Sequence, residues 1–463
     1  MDGSRIGSYS PTSADYDVGG VADTQPPASS SPSSAPDVDQ GPPGGQSGPS
    51  WTLPKPPVSD PMAASVFLAK FTNMDGTDRT CPGVNVCVNF QGSPEFQALP
   101  EATRNKILQD AAKDPGVEDR LNQLYESPQY KNLSTQQRTE LLNVFAGAND
   151  EGRQELVTLM GRHLPSGDSA LLSKDSHGTT LLDNLNQLAN QPLAPGLAGR
   201  RSEILSQVIE DSAEPTWYLD QGQVGTCAPT SLQTGLLLNN PSEYAHIISG
   251  LMGPDRKATL ANGDTMIPGM NDLATPATVA PNGGASVPDS RSVTERVFQS
   301  ALAQYSYIHS GRNPPFVNAS ADIPGLQPNE VASAQSALYG RNYTVSDSNT
   351  PLGANGVYIQ ILSELSKGHG PVPTSLKWGN GGHRVLVDHV EANKDGTFKV
   401  YIRNPWGSSM AQGKAYKDGA TFGSAANGAG GPARTVADSQ SGLEVMTGTD
   451  FMKALRSAVV EGS

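Results

Sequence analysis

An internal repeat of 34 residues constrains this chain more than any other feature. Ser93-Pro94-Glu95-Phe96-Gln97-Ala98-Leu99 recurs as Ser127-Pro128-Gln129-Tyr130-Lys131-Asn132-Leu133, and the match continues through Arg104/Arg138, Ile107/Leu141 and Leu108/Leu142. Repetition at this period points to stacked helical units. Ser134 precedes Thr135-Gln136-Gln137, which places a Gln at the third helical position as a capping box requires. Leu141, Leu142 and Phe145 then follow at helical spacing. Two copies are too few for a solenoid, so 93–212 reads as a compact helical domain. Such a domain is either a packing or chaperone-like prodomain or a docking surface for a protein partner.

From Trp217 onward the texture changes. Ser292 to Tyr305 and Val357 to Leu365 read as amphipathic helices, whereas Val385-Leu386-Val387 and Phe398-Lys399-Val400-Tyr401-Ile402 read as strands around the turn signal Asn393-Lys394-Asp395-Gly396. Helices first and antiparallel strands later describe an α+β architecture.

Residues 1–60 hold 11 Pro, 12 Ser and 8 Gly, with seven Asp against Arg5 and Lys55. A segment so poor in aliphatic residues buries too little apolar surface to offset the entropy of ordering, and a disordered tail is expected, joined to the helical domain by a linker over 61–92. The whole chain carries a formal charge of −14. No basic stripe offers counterion release to a nucleic acid, and no apolar run approaches the ~18 residues of a membrane span. The first 30 residues also lack the charged-then-apolar pattern of a Sec signal peptide. A soluble protein is expected, with neither nucleic acid nor membrane as partner.

Three cysteines cannot build a disulfide framework in 463 residues. Cys81 and Cys87 match no familiar metal spacing; they are either two ordinary thiols or a small bridged loop. Cys227 is different. The segment Asp220-Gln221-Gly222-Gln223-Val224-Gly225-Thr226-Cys227-Ala228-Pro229 runs a Gly-rich loop into a helix whose first turn contains Pro229. A thiol at a helix N-terminus meets free N–H groups and the positive end of the dipole, which favour the thiolate. Downstream lie Gly381-Gly382-His383-Arg384 and Asn404-Pro405-Trp406-Gly407. An imidazole can hold and reprotonate a thiolate system, and an Asn carbonyl can orient the imidazole.

These motifs resemble the papain-like cysteine peptidases, in particular the calpain branch, over roughly 215–460. The resemblance implies a helical subdomain facing an antiparallel β subdomain within 213–463, with Cys227 as nucleophile, Gln221 in the oxyanion hole, His383 as proton shuttle and Asn404 as its orienter. It implies too that Trp406 covers the His–Asn hydrogen bond as a wall of the substrate site. Gly442, Met446 and Asp450-Phe451 are similar to the strand and helix that follow the Asn in that family. Two departures stand out. Ala228 occupies the place of the usual Trp after the nucleophile, and His383 and Asn404 lie 156 and 177 residues beyond Cys227, longer than the ~130–150 of papain itself. The binding loops do not align, so no substrate preference is implied.

His389 competes with His383. A two-residue turn at Asp395-Gly396 would set Asn404 opposite Val387, nearer His389; a four-residue turn over 393–396 would set it opposite Val385, nearer His383. His383 is preferred because it follows two glycines at the strand entry.

The expectation is thus a thiol hydrolase acting on a protein or peptide, with no cofactor and no metal. Deamidation or transglutamination of a protein Gln would use the same residues. A catalytically degenerate binding protein acting through its helical repeat is a further alternative. The unfolded, Ser/Pro-rich start resembles effectors delivered by a dedicated bacterial secretion machine; a cytoplasmic enzyme with a loose tail is the other reading.

Overall fold

The computed structural model describes residues 90–222, 224–269, 289–313, 325–379, 381–423 and 431–462, with two-residue strands at 71–72, 78–79, 278–279 and 287–288. The expected tail 1–60, most of the linker 61–92, and Cys81 and Cys87 lie outside the described residues.

The 34-residue repeat appears as a repeated helix pair. Helices α1 (Pro94–Ala98) and α2 (Glu101–Lys113) lead to α3 (Pro115–Glu126), and α4 (Pro128–Asn132) and α5 (Thr135–Gly147) then reproduce the first pair boundary for boundary. Local chemistry explains the match. Ser93 and Ser127 accept from the N–H of Phe96 (3.3 Å) and Tyr130 (3.1 Å), and Pro94 and Pro128 fill a first helical position that has no use for an N–H. Arg104 and Arg138 donate back to the carbonyl oxygens of Gln97 (2.7 Å) and Lys131 (2.6 Å). The capping box of Ser134 and Gln137 closes from both sides.

Four more helices follow: α6 (Asp150–Gly161), α7 (Leu181–Asn190), α8 (Arg201–Ala213) and α9 (Pro215–Tyr218). Next come α10 (Cys227–Asn239), α11 (Pro241–Met252), α12 (Val293–His309) and α13 (Pro328–Tyr339). Ser292 and Glu295 form the capping box that starts α12. One hydrophobic cluster runs from Phe90 through α8 into α10–α13 and reaches Val459. The helices of 93–212 therefore share a core with the segment that carries Cys227.

Three pairs of two-residue strands, β1 (Phe71–Thr72) with β2 (Asp78–Arg79), β3 (Ala258–Thr259) with β4 (Thr265–Met266) and β5 (Thr278–Val279) with β6 (Val287–Pro288), are local ribbons. The main sheet uses β7 (Tyr343–Asp347), β8 (Val372–Trp378), β9 (Gly381–Ala392), β10 (Phe398–Arg403), β11 (Thr421–Phe422), β12 (Arg434–Asp438), β13 (Leu443–Thr447) and β14 (Leu455–Glu461). Their order is β11-β12-β13-β10-β9-β8-β14-β7, every neighbouring pair antiparallel. Helices α14 (Gly353–Ser366), α15 (Ser409–Gln412) and α16 (Gly448–Ala454), with short 3-10 helices at Phe90–Gly92 and Ala198–Arg200, complete the described elements. A second core gathers Val357 and Ile361 of α14, Phe451 of α16, and Val385, Val387, Val400 and Ile402 of the sheet. Mixed helix and antiparallel sheet is the α+β class expected. No described helix is long and apolar enough to cross a membrane.

Candidate active site

Helix α10 begins at Cys227, and its residues from Cys227 to Leu237 are all buried. A helix covered on every face is a central one, and α10 packs against both α12 and β9. Ser231, one turn after Cys227 on the same face, donates from Oγ to the carbonyl oxygen of Arg384 at 3.3 Å. That bond ties the first turns of the helix to the strand residue next to His383.

Across the sheet, His383 Nε2 lies 3.0 Å from Asn404 Oδ1, with both residues buried. Asn404 is held from two further directions. Its Oδ1 accepts the Trp406 backbone N–H (3.2 Å), and its Nδ2 donates to Glu444 Oε1 (3.2 Å). An amide oxygen facing Nε2 requires the ring to donate from that nitrogen, which leaves Nδ1 as the basic one in the neutral imidazole.

Two tryptophans cover this pair. The ring of Trp406 is 5.1 Å from that of His383 and Trp378 is 4.6 Å away, the indoles meeting edge to face at 5.5 Å. Arg434 stacks 4.3 Å over Trp378 and 5.5 Å over Trp406 while its Nε donates to Glu444 Oε2 at 2.6 Å. The network closes on itself, running from His383 to Asn404, Glu444, Arg434, the indoles and back. Sequence reasoning named His383, Asn404 and Trp406 but missed Trp378, Arg434 and Glu444. A Trp just before Gly379 and Gly381-Gly382-His383 was an available signal for the first; nothing local marks the other two.

The two histidines separate through strand register. The hairpin loop spans 393–397, neither two nor four residues, since Phe398 pairs with Ala392. Tyr401 then faces His389 while Ile402 faces Val387, so Asp388 is an extra residue in β9 and forms a bulge. Arg403 pairs with Leu386, which brings Asn404 to the His383 end. His389 is exposed, stacked on Tyr401 at 4.1 Å and hydrogen-bonded to Asp388 at 2.8 Å.

The Gln221 loop docks on the turn that carries Asn404. Gln221 N–H donates to Pro405 O (2.9 Å) and Ser408 Oγ to Trp217 O (2.9 Å). Gly407 has φ +86°, and a Cβ there would stand 2.9 Å from both Leu219 O and Asp220 Cβ. Only glycine accommodates both demands. The Gln221 side chain donates to Val224 O (3.0 Å), and its Oε1 is buried with no partner among the described residues.

Behind this loop lies a group of buried carboxyls, Asp220, Glu295 and Asp211. Asp220 accepts from Gly222 N at 2.5 Å and its own N–H donates to Glu295 (2.7 Å). Burial pushes Asp220 up to about 6 despite that bond and the Arg291 charge, and it holds Glu295 well above the usual carboxylate range. Gln299 links Asp220 O to Gln233, which donates to Tyr244, whose hydroxyl reaches Asp211 at 2.6 Å.

Among the described residues one group could present three ligand atoms to a cation: Glu364, His369 and Glu461, within 4.8 Å of one another on α14, the following loop and β14. Lys367 already meets Glu364 at 2.9 Å and Arg341 lies 3.9 Å from Glu461. Neither a protein-family model nor a curated protein sequence matches the chain.

Proposed function

We propose that the chain is a papain-like cysteine peptidase working through Cys227, His383 and Asn404. The observation that carries the reading is the buried His383–Asn404 hydrogen bond of 3.0 Å on a strand tied to the helix that opens with Cys227. A thiolate nucleophile at a helix N-terminus, an imidazole with a fixed tautomer and an acceptor that stabilises the imidazolium are the parts that thiol hydrolysis needs. The antiparallel sheet facing a buried central helix supports the papain-like arrangement within 213–463.

In this reading Cys227 Sγ attacks the scissile carbonyl carbon, and the oxyanion forms beside the first N–H groups of α10 and the Gln221 amide. His383 donates its proton to the leaving amine as the C–N bond breaks. It then takes a proton from the water that hydrolyses the thioester. The tryptophan pair keeps bulk water from the His383–Asn404 bond, so the imidazole holds its orientation through the cycle.

A peptidyl epoxide should modify Cys227 in the full-length chain at neutral pH, as mapped by peptide mass spectrometry. His383→Ala is expected to slow labelling by at least about a hundredfold, the scale of a lost acid–base partner, and His389→Ala to leave it within about twofold. Absence of label at Cys227, or equal loss in the two variants, contradicts the assignment.

A further inference from the structure

Arg384 follows His383 on β9 and, by strand alternation, faces the opposite side of the sheet. That is the side packed on α10: Leu386, two residues on, lies 3.9 Å from where a Cβ on Gly235 would stand, and Ser231 Oγ bonds the Arg384 carbonyl. The residue is only 4% exposed, and its Nη1 is buried with no hydrogen-bond partner among the described residues. A guanidinium taken out of water without a counter-charge is costly. Helix α10 itself contains no charged residue. Cys227 lies one helical turn before Ser231 on this same face; burial pulls Arg384 down to about 10, and a charge on Cys227 acts in the opposite direction.

We propose that Arg384 is the counter-charge of the nucleophile, a positioning residue whose buried guanidinium holds Cys227 as a thiolate independently of the protonation state of His383. The proton leaves Sγ for His383 or water, and Arg384 stays protonated throughout. This deepens the thiol-hydrolase reading and rests on it. The Cys227 charge acts also on Tyr307 of α12, whose hydroxyl burial raises to about 12, and the proposed reaction brings His383 of β9 to the same thiol. Behind them stand the Arg312–Glu330 pair at 2.8 Å and, at the loop, Asp220 with the Arg291–Asp289 pair at 2.7 Å. Arg312 and Arg291 already have carboxylate partners; among these arginines Arg384 is the one whose Nη1 meets none.

The test is the pH profile of iodoacetamide alkylation at Cys227 in the full-length chain, followed on the Cys227 peptide by mass spectrometry. The wild type should alkylate readily at pH 6. Arg384→Met should lose at least about tenfold in rate at pH 6 and approach the wild type above pH 9, a shift of about one pH unit or more. Arg384→Lys, which keeps the charge and guards against misfolding of the first variant, should stay within about threefold at pH 6. Superimposable profiles for wild type and both variants overturn the role of Arg384 and leave the thiol-hydrolase reading standing. Equal loss in both variants also overturns it, because charge would then not be the cause. A wild type that fails to alkylate at pH 6 overturns both.

Discussion

Glu444→Gln isolates the network behind the candidate site. Glu444 and Arg434 each leave 1% of their side-chain surface exposed, and their contact is 2.6 Å. Removing one partner of a buried pair costs about 3–5 kcal/mol, because the other charge stays buried. Stacking of Arg434 on Trp378 persists in the variant, so about 3 kcal/mol is the expected loss. Unfolding entropy near 2.1 cal/mol/K per residue over the roughly 330 described residues from Phe90 onward converts this to a fall of about 4 °C in Tm. Chemistry suffers separately. The Gln carbonyl oxygen can serve Arg434 or Asn404, but its amide hydrogens then oppose an N–H of the other. Turning Asn404 to relieve that clash points Nδ2 at His383 and removes the acceptor that fixes the ring. Turnover should therefore fall at least about tenfold beyond any loss of folded protein. Thermal scans and peptide turnover at matched folded fraction measure the two effects. A Tm within 1 °C of wild type together with unchanged turnover would refute the reasoning.

Two further outcomes follow from the loop that docks on Asn404. Gly407→Ala places a Cβ against Leu219 O and Asp220 at positive φ; it should cost about 2–4 kcal/mol in urea unfolding, and an unchanged midpoint would show that the approach is not tight. Burial raises Asp220 to about 6, Asp211 to about 7 and Glu210 to about 8. A carboxyl raised in the folded state contributes stability that is complete below the unfolded value near 4 and is lost as pH rises through the folded one. Each group contributes up to about 1.4 kcal/mol per pH unit within its window. The chain should therefore melt at higher temperature at pH 5 than at pH 8, and a Tm that rises over that range would contradict the assignment.

Much of the local architecture was legible. Serine caps, first-turn prolines and the 34-residue spacing mark the repeated helix pair, since each signal acts within one turn of the chain. The His383–Asn404 pairing was legible only as one of two registers, because the bulge at Asp388 depends on how β9 packs rather than on any turn residue. Arg434 and Glu444 were not legible. In β12 Arg434 shares a face with Val436, and in β13 Glu444 shares one with Met446, so neither strand's pattern marks its charged residue as buried; here both charges lie under the indoles. Their meeting follows from the strand order β12-β13-β10-β9, which brings distant segments together. The continuity of the repeat helices with the core around α10 is likewise a product of tertiary packing.

The central claim, peptide-bond hydrolysis by Cys227, is tested most directly by incubating full-length wild type and Cys227→Ala with a quenched peptide library and reading the products by mass spectrometry. New peptide termini with wild type, and none with a folded Cys227→Ala, are predicted. Equal turnover by the two proteins, or intact peptides carrying only deamidated Gln, would contradict it.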